Sequence, residues 1–369
     1  MTTTRVHALA EFLDPDLTAM VRRMAYRPRP DTGSTDDNPA IRAMIWQGLV
    51  GLGLTGPPPD AAAGPAADGA GPAPVADSPV GGHEELVTVA EQLGVALYQG
   101  PLLDTLTAAD LFHHAGRRDL PVDGGVALAV RADGAASPAE PGALTVGPTG
   151  GIHGERRFVG FATEVDHLLV VGTTDDGPRI ALVPRDHPTV TIRRHEELGQ
   201  GELHHVRLAG TPAVWTGDGT GWSRALTAAR IRQAGYLVGL ARGAHDLAVA
   251  YARERQQFGQ PIGRFQAIAF RLAELSIHLD AARLLTRDAA RDADQGRDTR
   301  FAAARCLATA ADLARTMTTE ALQVQGASGL VNDHDAQLFH RRAAIESLWL
   351  GSPTQLRAEV LPLLREQLR

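Results

Sequence analysis

Residues 251–275, YARERQQFGQPIGRFQAIAFRLAEL, place Arg255, Phe258 and Gln266 around a turn between two helical patterns. A guanidinium at a helix end can hold a pyrophosphate through two parallel hydrogen bonds. A phenylalanine offers its face to a purine ring, and a glutamine offers a donor and an acceptor to that ring's edge. The same residues suit a plainer use: an arginine that offsets the helix dipole and a phenylalanine that plugs the turn. A second stretch, EALQVQGASGLVND (320–333), carries Gln323, Gly326 and Gly329. Glycines there let backbone approach a phosphate chain closely, or simply end a helix. Arg230, in AARIRQAGYLVG (228–239), is either a ligand-positioning cation or a solvated helix residue. Near the C-terminus, LWLGSPTQLR sets Leu350 between Trp349 and Gly351, with Ser352 and Thr354 following. Glu346 lies one helical turn before Leu350 and could share its face. It reads as a weak candidate for a proton-transfer group, against a surface carboxylate. Asp333, His334 and His340 are further titratable groups, read as solvated. The pairs His113–His114 and His204–His205 have no supporting ligand spacing, so they are expected to face solvent and no metal site is expected.

The elements that must hold these residues fall into three blocks. Residues 1–118 read as a helical domain, with EELVTVAEQLGVALYQG (84–100) apolar at helical intervals. Inside it, the Pro/Gly/Ala segment 56–82 has no bulky residue but valine and reads as a mobile loop. Residues 119–215 carry short β-branched runs: GVALAVRA, ALTVG, RRFVGF, HLLVVGTT, RIALVP, TVTIRR and HHVRLAG. Turn residues punctuate them every 8–12 residues or so, which predicts an antiparallel sandwich or barrel. No helical patterns alternate with these strands, which disfavours a parallel doubly wound sheet. Residues 216–369 return to helix. Leu237, Leu240, Ala244, Leu247 and Tyr251 step by three and four; so do Phe265, Ile268, Leu272, Leu275 and Leu279. Leu307, Ala310, Ala314, Met317, Ala321 and Val324 do the same, and TQLRAEVLPLLREQL follows. Stripes of this kind need one another, which predicts a four-helix bundle.

Composition closes several routes. All 36 basic residues are arginine. Without lysine there is no lysine Schiff base and no phosphate-binding P-loop lysine. The net charge of −7 disfavours general attraction to nucleic acid. No apolar run approaches the roughly 20 residues of a membrane span, and the N-terminus lacks a secretory pattern. The single cysteine, Cys306, forms no intramolecular disulfide, which fits a cytoplasmic location.

Taken together, residues 251–275 resemble the acyl-CoA dehydrogenase signature, Arg-x-x-Phe-Gly, a Pro-Ile turn, then Phe-Gln opening the next helix. The helix–strand–helix order is similar too. The resemblance implies FAD as cofactor. It implies that Arg255, Phe258 and Gln266 grip the adenine dinucleotide end of FAD held by a neighbouring subunit, so at least a dimer. Gln323 and Gly326 resemble the family's glycine-rich dinucleotide turn, with Ala327 in place of a glycine. Arg230 matches an arginine that positions the acyl-CoA ligand and the base, and Ser352 and Thr354 fall in a cofactor-contacting turn. WLGS aligns with the Tyr-Glu-Gly-Thr turn that carries the catalytic glutamate, so Leu350 stands at the base. The second position used for that base is Ala229. Neither side chain can take a proton, and α-proton abstraction requires a positioned base. In HGERRFVGFA (153–162), Phe158 stands for the family's tryptophan, and Gly160 stands where a hydroxyl would reach the flavin N5–O4 edge.

The resemblance therefore implies an acyl-CoA dehydrogenase-like flavoprotein acting on an acyl-CoA or acyl-carrier thioester, with four readings. In the first, this chain is the non-catalytic, FAD-sharing subunit of a heteromer, a heterotetramer for instance, beside a homologous chain or its own copy. In the second, it is a flavoenzyme of altered chemistry, such as a monooxygenase. The third is a dehydrogenase with a relocated base, and the fourth a binding protein on the same scaffold.

Overall fold

The computed structural model describes residues 2–25, 39–55, 80–117, 121–132, 137–196, 201–331 and 334–367. Most of the Pro/Gly/Ala segment (56–79) and Asp333 lie outside the described residues. Five helices come first: α1 (Thr2–Phe12), α2 (Pro15–Ala25), α3 (Pro39–Gly51), α4 (His83–Val95) and α5 (Leu102–His114). Eight strands follow: β1 (Val126–Ala129), β2 (Thr145–Val146), β3 (Ile152–Gly160), β4 (His167–Thr174), β5 (Gly177–Pro184), β6 (Val190–Arg194), β7 (Leu203–Thr211) and β8 (Trp215–Gly217). Then come α6 (Trp222–Glu254), a small hairpin of β9 (Gln256–Gln257) and β10 (Gln260–Pro261), α7 (Gln266–Asp294), α8 (Arg300–Gln325), α9 (Asp335–Glu346) and α10 (Pro353–Gln367). The fold class expected from sequence, helices, then a β domain, then a helical bundle, is the one found.

The strands form two four-stranded sheets, ordered β1-β4-β5-β8 and β2-β3-β7-β6. One pair departs from the antiparallel expectation: β1 runs parallel to β4, with Val126 opposite His167 and Ala129 opposite Val170. The first sheet is covered on both faces. Val126, Leu128, Leu169, Val171, Ile180 and Leu182 pack into the helical core. Their alternates Ala127, Ala129, Leu168, Val170, Ala181 and Val183 pack against the second sheet. That double burial explains the near-continuous apolar runs of β4 and β5. The short edge strand β8 carries too little periodicity to be read from sequence.

The three predicted stripes fall on α6, α7 and α8. Leu240, Leu275 and Leu307, one from each stripe, are almost fully buried in one cluster. The short α9 was not separately expected. Its start is capped by His334, whose Nδ1 accepts the Ala336 N–H at 3.1 Å, so this histidine has a local structural use. His340 is half-buried, with Nδ1 3.3 Å from Thr318 Oγ1, rather than fully solvated.

The α4–α6 contact sets the geometry of everything that follows. Gly235, Gly239 and Gly243 recur every fourth residue on α6, and Gly94 faces them from α4. A Cβ at Gly239 would fall 1.9 Å from the carbonyl oxygen of Glu91, and one at Gly94 would fall 2.1 Å from that of Tyr236. Only glycine permits two helix backbones to lie this close. The seam is reinforced by charge. Glu91, buried on α4, receives Arg242 of α6 at 3.3 Å and Arg283 of α7 at 2.9 Å. Between α5 and α6, Arg232 and Asp110 form an ion pair at 2.7 Å with each side chain 1% exposed.

Two stability predictions follow from these contacts. Gly239→Ala must push α4 away from α6 and should cost about 3 kcal/mol in urea unfolding, the upper part of the overpacking range. Asp110→Ala strands the Arg232 guanidinium in the core and should cost about 3–5 kcal/mol, more than replacing both partners by apolar residues of matched volume.

Candidate active site

The turn between α9 and α10 is pinned from three sides. The Trp349 indole N–H donates to Asp104 Oδ1 of α5 at 3.4 Å. The other carboxylate oxygen of Asp104 accepts the backbone N–H of Leu128, in β1, at 3.0 Å. The carbonyl of Leu350 accepts from Arg230 Nε at 3.1 Å. Arg230 then spans both oxygens of Glu359 in α10, at 2.7 and 3.2 Å. Glu359 also accepts from Ser137 Oγ at 2.6 Å. Arg230 is thus a buried clamp joining α6, α10 and the chain between β1 and β2. Its fixed, two-pronged geometry matches a carboxylate. The solvated-arginine alternative is excluded by its burial.

Leu350 and Ala229 are both buried in the apolar core. Their neighbourhood nevertheless holds carboxylates that sequence reading missed or left as weak. Asp104 is fully enclosed, and burial pushes its carboxyl up to about 7; the Leu128 and Trp349 hydrogen bonds pull the other way. Glu346 is not a surface carboxylate: Arg342 reaches it at 2.5 Å and Gln233 Nε2 at 2.8 Å. Asp104 had one sequence signal, an acid in the otherwise apolar helix LLDTLTAADLF.

Trp349 stands between two cavities. On one side is a cavity of about 40 Å³ whose walls include Tyr98, Asp104, Gly160, Gln233, Glu346 and Trp349. On the other is a gap of about 20 Å³ walled by Leu128, Arg131, Arg157, Phe158, Trp349 and Leu350. Phe158 sits at a bulge of β3 with φ 56°, stacked on His195 at 5.1 Å between ring centroids. A Cβ at Gly160 would meet the Trp349 ring at 3.3 Å. The large indole and the missing side chain therefore go together. The neighbouring His204 is buried against Glu202, its Nε2 at 3.3 Å, which corrects the expectation that the His204–His205 pair faces solvent. That expectation overlooked the inward alternation of β7. Among the described residues no cluster of His, Cys, Asp and Glu is arranged to hold a metal.

The remaining sequence candidates gather at the far end of α6 and α8. Arg255 caps α6, and Phe258 projects from the hairpin 93% exposed, its ring edge-on to Phe265 at 6.2 Å. Gln266 opens α7, and Gln323 and Gly326 end α8; all are exposed. Tyr251 and Ser328, whose hydroxyls lie 3.5 Å apart, show that the hairpin and the glycine turn share this end. Ser352 behaves as a helix cap: its Oγ accepts the Gln355 N–H at 3.3 Å while Gln355 Oε1 accepts the Ser352 N–H at 2.9 Å. Thr354 is exposed on the first turn of α10.

A profile of the acyl-CoA dehydrogenase C-terminal domain matches residues 219–360, the region that contains α6 through most of α10. Residues 219–360 thus form an acyl-CoA dehydrogenase C-terminal domain. It is 33% identical over 205 residues to the 3-sulfinopropanoyl-CoA desulfinase of Paraburkholderia xenovorans, covering 54% of this chain and 52% of that protein. The chain spans about half the length of the curated relatives it matches, from 37% to 57%. The butyryl-CoA dehydrogenase of Megasphaera elsdenii shares its fold with a TM-score of 0.79 at 21% identity, over 99% of this chain and 98% of that one. A chain of the ChsE4-ChsE5 complex from Mycobacterium tuberculosis does so with 0.74 at 22%, over 98% and 97%.

Members of this family are FAD-dependent flavoproteins, and the two ends of that cofactor meet different conditions here. The exposed Arg255, Phe258, Gln266 and Gln323 have the donor set and aromatic face that a dinucleotide requires. The gap beside Phe158, at about 20 Å³, holds little more than a water molecule, so a three-ring flavin does not fit between Phe158 and Leu350 as they stand.

The Asp104 carboxyl gives a pH prediction. Its folded-state pKa, about 7, lies well above the usual aspartate value of about 3.9. The folded chain therefore holds that proton more tightly, and stability present at acid pH is lost as pH rises from about 4 to about 7, by up to about 4 kcal/mol. Asp104→Asn should abolish this slope, whatever uniform cost its amide adds. Urea unfolding at a series of pH values checks it; parallel profiles for the two proteins would count against the assignment.

Proposed function

We propose that this chain is the FAD-sharing, non-catalytic subunit of a two-chain acyl-CoA dehydrogenase-type assembly. The reading rests on one contrast. The dinucleotide-gripping residues stand ready on the surface, while the ring cleft is filled by Trp349 and Leu350 and has no carboxylate where the family's base belongs. A residue such as Phe258 gains nothing from full exposure in an isolated chain. Covered by a partner subunit's cofactor, it supplies a stacking face. The outer face of α7 supports a partner as well. Phe270, Ile277 and Leu284, seven residues apart, are 67%, 68% and 63% exposed. That is a straight apolar stripe for a homologous subunit. The ChsE4-ChsE5 neighbour is described as a complex, which agrees with this arrangement.

A thioester carrier also has a place. Ser223, Arg224, Thr227, Arg297, Asp298 and Arg300 line a cleft of about 390 Å³ at the start of α6, where Arg300 is paired with Asp298 at 2.6 Å and Arg297 with Asp292. Hydroxyls and guanidinium groups there suit the phosphates of a CoA or carrier arm. In this role Arg230 holds the Leu350 turn closed rather than orienting a base.

Co-expression with a homologous chain that carries the turn glutamate tests the proposal. The pair should copurify with flavin absorbing near roughly 450 nm, and Arg255→Ala in this chain should lower bound flavin about tenfold with the complex intact. Stoichiometric FAD on this chain alone, with acyl-CoA oxidation, would overturn it. A relocated base is the second reading, favoured by the enclosed Asp104 beside Gly160, because a base poised near neutrality suits proton abstraction. It requires activity of the chain alone that Asp104→Asn removes.

A further inference from the structure

The cavity behind Trp349 has walls that an aliphatic chain would not choose. Asp104, Glu202 and Glu346 all border it, together with Tyr98 and Gln233. Two of these carboxylates have cations beside them: Glu346 has Arg342 at 2.5 Å, and Glu202 has Arg194 at 3.3 Å. Among the described residues Asp104 has two N–H donors, from Leu128 and Trp349, which leaves it lone pairs to spare. The second observation is independent of the acids. Tyr98 is only 8% exposed, and its hydroxyl reaches into the cavity beside Gly100, where a Cβ would sit 2.2 Å from it. Among the described residues that hydroxyl makes no hydrogen bond, whereas the Tyr98 carbonyl does. The nearby Tyr236 hydroxyl is already used, donating to the Tyr98 carbonyl at 2.8 Å. A buried hydroxyl and a buried carboxylate with unused acceptor capacity are both satisfied by a guest that donates a hydrogen bond.

We propose that this cavity receives the hydrogen-bond-donating end, a hydroxyl or ammonium group, of a short acyl chain. The inference rests on the thioester reading above for what the group is attached to. The cavity itself of about 40 Å³ admits an end of three or four heavy atoms, about three waters' worth of space. Tyr98 and Asp104 are the residues that select it, Tyr98 as the neutral partner and Asp104 as the acceptor. Trp349 forms the wall between this end and the narrow gap at Phe158.

Isothermal titration of the full chain, alone and with its partner subunit, compares hexanoyl-CoA with 6-hydroxyhexanoyl-CoA and 6-aminohexanoyl-CoA. At least one donor-bearing thioester should bind about tenfold tighter than hexanoyl-CoA. Tyr98→Phe, which preserves shape, should shrink that ratio about tenfold. Equal or tighter binding of hexanoyl-CoA overturns the proposal, as does a preference that survives both Tyr98→Phe and Asp104→Asn. If no thioester binds at all, the carrier reading falls. Butane-1,4-diol and 4-aminobutan-1-ol then probe the cavity through Trp349 emission, against a Trp349→Phe control. A saturable change that Tyr98→Phe abolishes upholds the donor-selective site; unchanged emission overturns it.

Discussion

Two helix backbones in near contact are the constraint on which the site depends. The α4–α6 seam exists because Gly94, Gly235 and Gly239 present no side chains to the carbonyls of Tyr236, Val87 and Glu91 on the facing helix. Once the seam is closed, Tyr98 just beyond α4 and Tyr236 and Gln233 on α6 come to one cavity. Glu91 is drawn under a set of arginines at the same time. No separate device is needed to assemble these walls: the approach of the helices does it, and the Arg232–Asp110 pair fixes α5, with Asp104, alongside.

The β layer contributes a rigid floor. Because β1, β4 and β5 are buried on both faces, the end of β1 at Leu128 cannot shift without disturbing two cores. Leu128 is the residue whose N–H holds Asp104, and Asp104 holds Trp349. The orientation of one indole is thus set by a chain of contacts running from the sandwich to the helical core. Arg230 does the same for the backbone of Leu350 from the bundle side.

Much of this was legible in the sequence because it is periodic. The stripes on α6, α7 and α8 and the seven β-branched runs each carry their own local signal, and the hairpin residues Arg255, Phe258 and Gln266 sit within a dozen positions of one another. The site proper is built from contacts across long sequence separations. Trp349 meets Asp104 and Arg230 meets Glu359, pairs separated by 245 and 129 residues, and no spacing rule links them. Residues with a strong type bias misled in the same way. Glu346 and His204 look like surface groups until a partner is placed beside them. Ser352 has a local role as well, as the cap of its own helix, which spacing alone does not reveal.

The contact between Gly160 and Trp349 ties together the β layer and the α9–α10 turn. A Cβ at position 160 would lie 3.3 Å from the indole, so any larger residue there requires the ring to give way. The ring is in turn held by Asp104, so such a displacement would be felt at the N–H of Leu128 in the other sheet. A single added methyl group on β3 thus has a mechanical path to the core of the first sheet.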